Sequence, residues 1–470
     1  MVISVDRRVA HGRNRLHGLL SRAVDAPVVA VFLVALIVRV VAAIAVNLLV
    51  DGVLIPDETT YLRIVDLKST GDLSVEPTLR CLEYANADGT SLWCSYWRGL
   101  FDSTRTFSWP LTGLFWMFGP HRILGQLLAG FFGALAAAAT SRLALVFLRK
   151  PFALVAGLGV ALLPSQVLFS SVVLRESAIW LCLACIGVLL GRSSRLTGSG
   201  AVTLAAAGLA LIFVLLAWLR VQTAVLSLWS AVPIFALAGR HRRVRVLCAT
   251  GVLVIMPMLV GLGPAAEGFV SNSLVRLGYT RNVMSLGAET AFDYTAWVEV
   301  PSVVEVPRQT GALAIITRDA ENESLSDTLI VLPSGLYNTM IRPFLWKPSD
   351  IRNASASHVL AGFETPLWLT TYLLAAVGVV MFRHRVSVVG FPFLFLLAIA
   401  FSGAASQGNL GTAFRHRGQV VFALAVLGAA GLEAVVDRRH MRRSKGAGGY
   451  YLDGPDERGD QDPKRASGDQ

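Results

Sequence analysis

Residues 27–50, PVVAVFLVALIVRVVAAIAVNLLV, form an apolar run long enough to cross the hydrocarbon core of a bilayer, which takes about 20 residues. It is the first of many. Runs of similar character lie at about 121–148, 152–170, 176–191, 201–218, 222–238, 246–262, 365–382, 387–403 and 418–436. Such a chain cannot fold as a soluble domain. Only 16% of its residues are charged, against roughly a quarter in soluble proteins, and 54% are hydrophobic. The reading is an all-α polytopic membrane protein with about ten transmembrane helices. The basic stretch Arg7, Arg8, Arg13, Arg15 and Arg22 precedes the first run, and no small-residue cleavage site follows it. The run therefore reads as a start-transfer helix and not a signal peptide.

The net charge of +11 is distributed as a topology signal. With residues 1–26 placed in the cytoplasm, the compact basic clusters Arg149-Lys150, Arg192 to Arg195, Arg240 to Arg245 and Arg383-His384-Arg385 all fall on the same side. A tail over 437–470, opening Asp437-Arg438-Arg439, joins them there; it is rich in Gly, Asp and basic residues and is expected to be disordered. Both termini are then cytoplasmic. Two long loops, 51–120 and 263–364, face outward. Within the first, 107–119 is apolar but too short to cross, and its Trp and Phe suit an interfacial or re-entrant helix. Nucleic acid is not an expected partner, since no nucleic-acid-binding motif accompanies the positive charge. Cys182, Cys185 and Cys248 lie in apolar runs and read as packing residues, whereas Cys81 and Cys94 lie in the first outer loop, where a disulfide would survive.

Candidate chemistry gathers at the outer ends of the spans. Asp57 and Glu58 follow the first span in Ile-Pro-Asp-Glu-Thr-Thr-Tyr, with Tyr61 a helical turn on. A carboxylate there can take a proton from a hydroxyl, or it can simply cap a helix. Arg175-Glu176 follows Leu163-Pro164-Ser165 in an outer turn, and Arg220 sits in the next. Arg415-His416-Arg417 opens the last span on the outer side, against the general bias of positive charge. Forked guanidinium donors suit phosphate, although a single outer Arg also serves as a lipid-headgroup anchor. The segment from Pro333 to Lys347 closes the second long loop and is amphipathic.

Four segments together resemble the GT-C superfamily of polyprenyl-phosphate-sugar-dependent glycosyltransferases, closest to bacterial family 39-like members. They are Pro-Asp-Glu-x-x-Tyr after the first span, Phe-Ser-Trp-Pro-Leu at 107–111, the Leu-Pro-Ser to Leu-Arg-Glu-Ser turn at 163–177, and Gly-Thr-x-x-Arg-His-Arg at 411–417. Their order matches over most of 30–436. Family members often carry Asp where this chain has Glu176, and many have a second acidic site of which no clear partner for Asp57 is visible. The resemblance implies a GT-C-like bundle over 27–436 in the bacterial plasma membrane. It implies a polyprenyl-phosphate-linked sugar as donor, a glycan or lipid acceptor, and membrane lipid as surroundings, in cell-surface glycan synthesis. Asp57 and Glu58 become the catalytic pair. Arg175, Arg220, Arg415 and Arg417 become the donor phosphate site, and Tyr61, Glu176 and His416 support the acceptor or the site. No cofactor is firmly implied, and a divalent cation stays open. Two other readings fit part of the pattern: a transporter or flippase of lipid-linked sugars, and a protein like the O-antigen polymerases and ligases. Few charges in the middle of the spans speak against the first.

Overall fold

The computed structural model describes residues 23–50, 52–70, 105–237, 242–259, 325–344, 356–406 and 410–447. Among them there is helix and connecting turn but no strand. In chain order the helices are α1 (Pro27–Leu49), α2 (Pro56–Thr70), α3 (Arg105–Phe118), α4 (Arg122–Ala144), α5 (Lys150–Leu162), α6 (Pro164–Ser170), α7 (Glu176–Ser193) and α8 (Ser199–Ala217). They continue as α9 (Val221–Leu237), α10 (Arg242–Leu259), α11 (Leu325–Met340), α12 (Ala356–Phe382), α13 (Val386–Ser406), α14 (Leu410–Arg417) and, after a 3-10 turn at Gly418–Val420, α15 (Val421–Ala447).

Seven of the described helices are long and apolar enough to cross a membrane, or eight if α5 and α6 form one bent span. The chain is thus a polytopic α-helical membrane protein. The expected ten exceeds this count at α9 and α10. Within the described residues α9 has 17 residues, and α10 opens on Arg242, Arg243 and Arg245 and is described to Leu259, so neither supplies a full span there. The run at 152–170 is not one straight span either. It bends by 55° at Leu163. The cause is local: Leu163 precedes a proline, which disfavours helical backbone, and it is extended at φ −61°, ψ 121°. Residues 437–447, expected within a disordered tail, instead continue α15. There Arg149 holds Glu433 at 2.8 Å and also reaches Asp437. Cys81, Cys94 and the residues after 447 lie outside the described residues.

Small residues let these helices approach closely, since the hydrophobic effect offers little between helices in lipid. Helix α4 packs against α1 and α7 with a buried face of Gly125, Gly130, Gly133 and a run of alanines. Helices α12 and α15 come into backbone contact. A Cβ on Gly431 would overlap the Leu374 carbonyl oxygen, and one on Gly378 the Leu427 carbonyl oxygen. Helix α3 lies against α2 and α4 and exposes Trp109, Trp116, Met117 and Phe118. At 14 residues it spans about 21 Å, short of the roughly 30 Å of a hydrocarbon core. Gly119, at φ +84°, ends it by donating its N–H to the Phe115 carbonyl at 2.8 Å.

The α12–α15 contact generates a test. Replacing Gly431 with Val should destabilise the protein by about 2 kcal/mol or more, because backbone on the facing helix cannot move aside as a side chain can. Thermal unfolding in detergent should show a clearly lower midpoint; an unchanged midpoint would mean the two helices are not in backbone contact.

Candidate functional site

The site is assembled at the end of the bundle where α2, the α6–α7 turn, the α8–α9 turn and α14 meet. Helix α2 begins with Pro56, and Asp57 and Glu58 occupy its first turn, where carboxylates favour the positive end of the helix dipole. The two are about 100° apart around the helix, so they face different neighbours.

Glu58 is fully buried. Arg122 grips it as a fork, Nε donating to Oε1 at 2.9 Å and Nη2 to Oε2 at 2.8 Å. The Val173 backbone N–H donates to Oε1 at 3.2 Å, and Arg122 Nη1 donates to the Gly52 carbonyl at 2.5 Å. Glu58 thereby fastens α2 to α4 and to the α6–α7 turn. Of the expected catalytic pair, Glu58 is the buried member: three of its acceptor positions are taken by Arg122 and Val173, and it holds the helix that carries Asp57.

Asp57 faces the other way. Its side chain is 53% exposed and pairs with Arg415 Nη1. Arg415, 15% exposed, also donates from Nε to Glu176 Oε1 at 2.6 Å. Arg220 Nη2 donates to the same oxygen at 2.9 Å. Glu176 opens α7 and is fully buried. Arg175 is the third guanidinium around it. Arg175 Nη1 donates to the Leu219 carbonyl at 2.5 Å, and its guanidinium lies 5.9 Å from the centre of the Tyr61 ring. Tyr61 is buried edge-on to Phe107 at 6.1 Å, and burial pushes its phenol above the ordinary value, with Arg175 pulling the other way. Burial first, then Arg175, pulls Arg220 down to about 10, so it keeps its charge at neutral pH. His416 is half-buried within electrostatic reach of Arg220 and Arg415.

Among the described residues, three guanidinium groups thus converge on two carboxylates. Arg220 Nη1 and Glu176 Oε2 are buried without a hydrogen-bond partner among the described residues. Unmade bonds of that kind are costly in a low-dielectric interior. The arrangement can therefore accept a small anion or polar group beside a half-open carboxylate. Among the described residues no three His, Cys, Asp or Glu side chains are grouped as metal ligands.

Arg417 does not join this cluster. It is fully buried, Nη1 donating to the Met340 and Arg342 carbonyls at 3.0 Å each, and its guanidinium stacks 4.5 Å from the Trp368 ring. Glu364, on α12, accepts from Trp368 Nε1 at 3.1 Å and from the Ser165 N–H. Arg417 thus ties the end of α11 to α12 and α14, and its expected role on a donor phosphate is corrected to this one. Two residues that sequence reasoning passed over emerge beside it and beside Glu58. Glu364 had been counted as the last residue of a loop. Arg122 carries a signal that was legible: it opens a span at the Asp57 end, away from the basic clusters of the other end, as Arg415 does.

No protein-family model matches the chain, and no curated protein matches it. The chemistry of the site has to be read from its own geometry.

The Glu58 knot generates a second test. Replacing Arg122 with Ala strands a buried carboxylate, which costs about 3 kcal/mol. Glu58→Gln in the Arg122→Ala background should recover part of that loss, because the stranded charge is gone. Thermal unfolding of the two variants decides it: equal midpoints would mean that Glu58 carries no buried charge in need of a partner.

Proposed function

We propose that the chain is a membrane glycosyltransferase that moves a sugar from a polyprenyl-phosphate donor to an acceptor hydroxyl. The observation that carries this reading is the convergence of Arg220 and Arg415, with Arg175 beside them, next to the half-open carboxylate of Asp57. A sugar–phosphate–prenyl diester carries a negative phosphate, which the forked donors of Arg220 and Arg415 suit. A donor of this kind is anchored in the bilayer and needs no nucleotide-binding domain. Its polar head sits at the depth where helix ends present their arginines.

The chemistry follows from the positions. Asp57 accepts the proton of the acceptor hydroxyl as its oxygen attacks the anomeric carbon. The bond from that carbon to the phosphate oxygen breaks, and its electron pair leaves on the phosphate. Charge grows on the leaving group, and the guanidinium groups of Arg220 and Arg415 are already oriented to stabilise it. Attack from the side opposite the phosphate inverts the anomeric centre. Glu58 takes no part in the proton transfer; it fixes α2 so that Asp57 stays at the cluster. Tyr61 and Glu176 hold the arginines in place, Glu176 by ion pairs and Tyr61 by packing beneath Arg175.

The orientation proposed with this function places the Asp57 end on the extracytoplasmic side of a bacterial plasma membrane. The basic clusters Arg149-Lys150, Arg192 to Arg195 and Arg383 to Arg385 support it, since such clusters favour the cytoplasm. Glycan synthesis at the cell surface is the process this orientation serves.

The deciding experiment measures free polyprenyl phosphate released from a labelled donor by the purified protein in lipid. Asp57→Asn should lower transfer by about 10²- to 10⁴-fold, the range for loss of a general base. Asn caps a helix as well as Asp does, so folding should be preserved. Near-normal release by this variant would remove Asp57 as the base.

A further inference from the structure

The same carboxylate that would serve as base is occupied. In the described structure Arg415 spends Nη1 on Asp57 and Nε on Glu176. An incoming phosphate that needs Arg415 must displace one of these two partners. We propose that it displaces Asp57, so that donor binding releases the catalytic carboxylate: Asp57 is the resting counter-ion of the phosphate site, and the donor takes its place. This rests on the glycosyltransferase reading of the cluster.

The choice between the two partners follows from burial. Glu176 is fully buried, and Arg220 also holds it at 2.9 Å. Stripped of Arg415 it could not recover water, and a buried carboxylate that loses a partner is heavily penalised. Asp57 is 53% exposed. When it leaves Arg415 its oxygens return to solvent, so the exchange forfeits only a partly screened ion pair. The other groups facing Arg415 do not alter this. Tyr61, Arg175, Arg220 and His416 carry no negative charge to take over the guanidinium. Glu58, next to Asp57, stays fixed by Arg122 and Val173, so the helix turn that carries Asp57 is anchored while its side chain swings.

The consequence is an order of events. Without donor, Asp57 is occupied by its ion pair with Arg415. With a phosphate on Arg415, Asp57 becomes an unpaired carboxylate beside the anomeric carbon, free to take a proton. An acceptor hydroxyl is therefore activated only where a donor is in place, which guards against deprotonating water at an empty site.

Binding tests this separately from catalysis. The probes are farnesyl phosphate, a short prenyl monophosphate, and inorganic phosphate, titrated into the full-length protein in nanodiscs. Removing the resident carboxylate by Asp57→Asn, with Asp57→Ser as a second variant, should tighten farnesyl phosphate binding about fivefold, the scale set by a partly exposed ion pair. Arg415→Ala should weaken it in either background. A capping role alone would not make a variant bind more tightly. Unchanged affinity in both Asp57 variants, with Arg415→Ala still weakening binding, overturns the exchange and leaves the donor site standing. Normal binding by Arg415→Ala overturns the donor site itself. Tightening towards inorganic phosphate but not farnesyl phosphate would mean that a soluble anion displaces Asp57, and it overturns the lipid-linked form of the proposal.

Discussion

A proline has no N–H to donate, and in a bilayer the carbonyls it leaves open have no water to turn to. At Pro164 this chain meets that constraint with a buried cation. Arg39, on α1, is fully buried and donates to the Val160 carbonyl at 3.3 Å, the Ala161 carbonyl at 3.0 Å and the Ala35 carbonyl of its own helix at 3.2 Å. The last carbonyls of α5 form the negative end of a helix dipole, so they offset the guanidinium charge in part as well as accepting its hydrogen bonds. Gly130 and Gly133 of α4 make room for it, since a Cβ at either would crowd the Arg39 side chain. The break is thereby made tolerable, and the rest of the site depends on it. It turns α6 by 55° and delivers the following turn, 171–175, to the place where Val173 meets Glu58 and Glu176 meets the arginines.

Beyond that break the structure is governed by how few carboxylates stand against its arginines. Arg39, Arg220 and Arg417 are nearly or wholly removed from solvent, and each is held by different partners, with at least one nitrogen of each unbonded among the described residues. Arg39 and Arg417 rely on backbone carbonyls, and Arg417 adds the faces of Trp368 and Phe414, an arrangement suited to a planar, weakly hydrated guanidinium. Among the described residues, it is around Glu176 that several arginines converge on carboxylates. A group of like charges assembled in a low-dielectric setting is unfavourable unless an anion joins it. This is why the convergence of guanidinium groups there bears on the proposed function while the isolated buried arginines bear on architecture.

The spans were legible because lipid permits few alternatives: a long apolar run must be helical, and among the described residues the count departs at α9, at the charge-opened α10 and at the bend at Leu163. The convergence of Asp57, Arg175, Glu176, Arg220 and Arg415 was legible as residues at one depth, though not as pairs. What stayed hidden were partners distant in sequence. Arg122 lies 64 positions from Glu58, and nothing in either segment announces the other. Arg417 misled for a local reason. In the sequence Arg415 and Arg417 stand together as forked donors for one phosphate, but residues 410–417 form α14. Two residues apart on a helix point roughly 200° from each other. One guanidinium therefore faces Asp57 and Glu176, and the other faces Trp368.

The same rotation separates Asp57 from Glu58, and here it divides labour. Neighbouring carboxylates in a flexible loop would share solvent and charge, and each would blur the other's role. On the first turn of α2 one is directed inward to Arg122 and the Val173 amide, and the other toward Arg415 and water. The inward carboxylate is locked because breaking its pair would strand a buried charge. The outward one keeps a single ion pair and half its surface, so its partner can be exchanged at little cost. A rigid anchor one residue from a labile group is a way to hold a carboxylate within reach of a reaction without committing its lone pairs, and the spacing Asp57-Glu58 achieves it with nothing more than helical geometry.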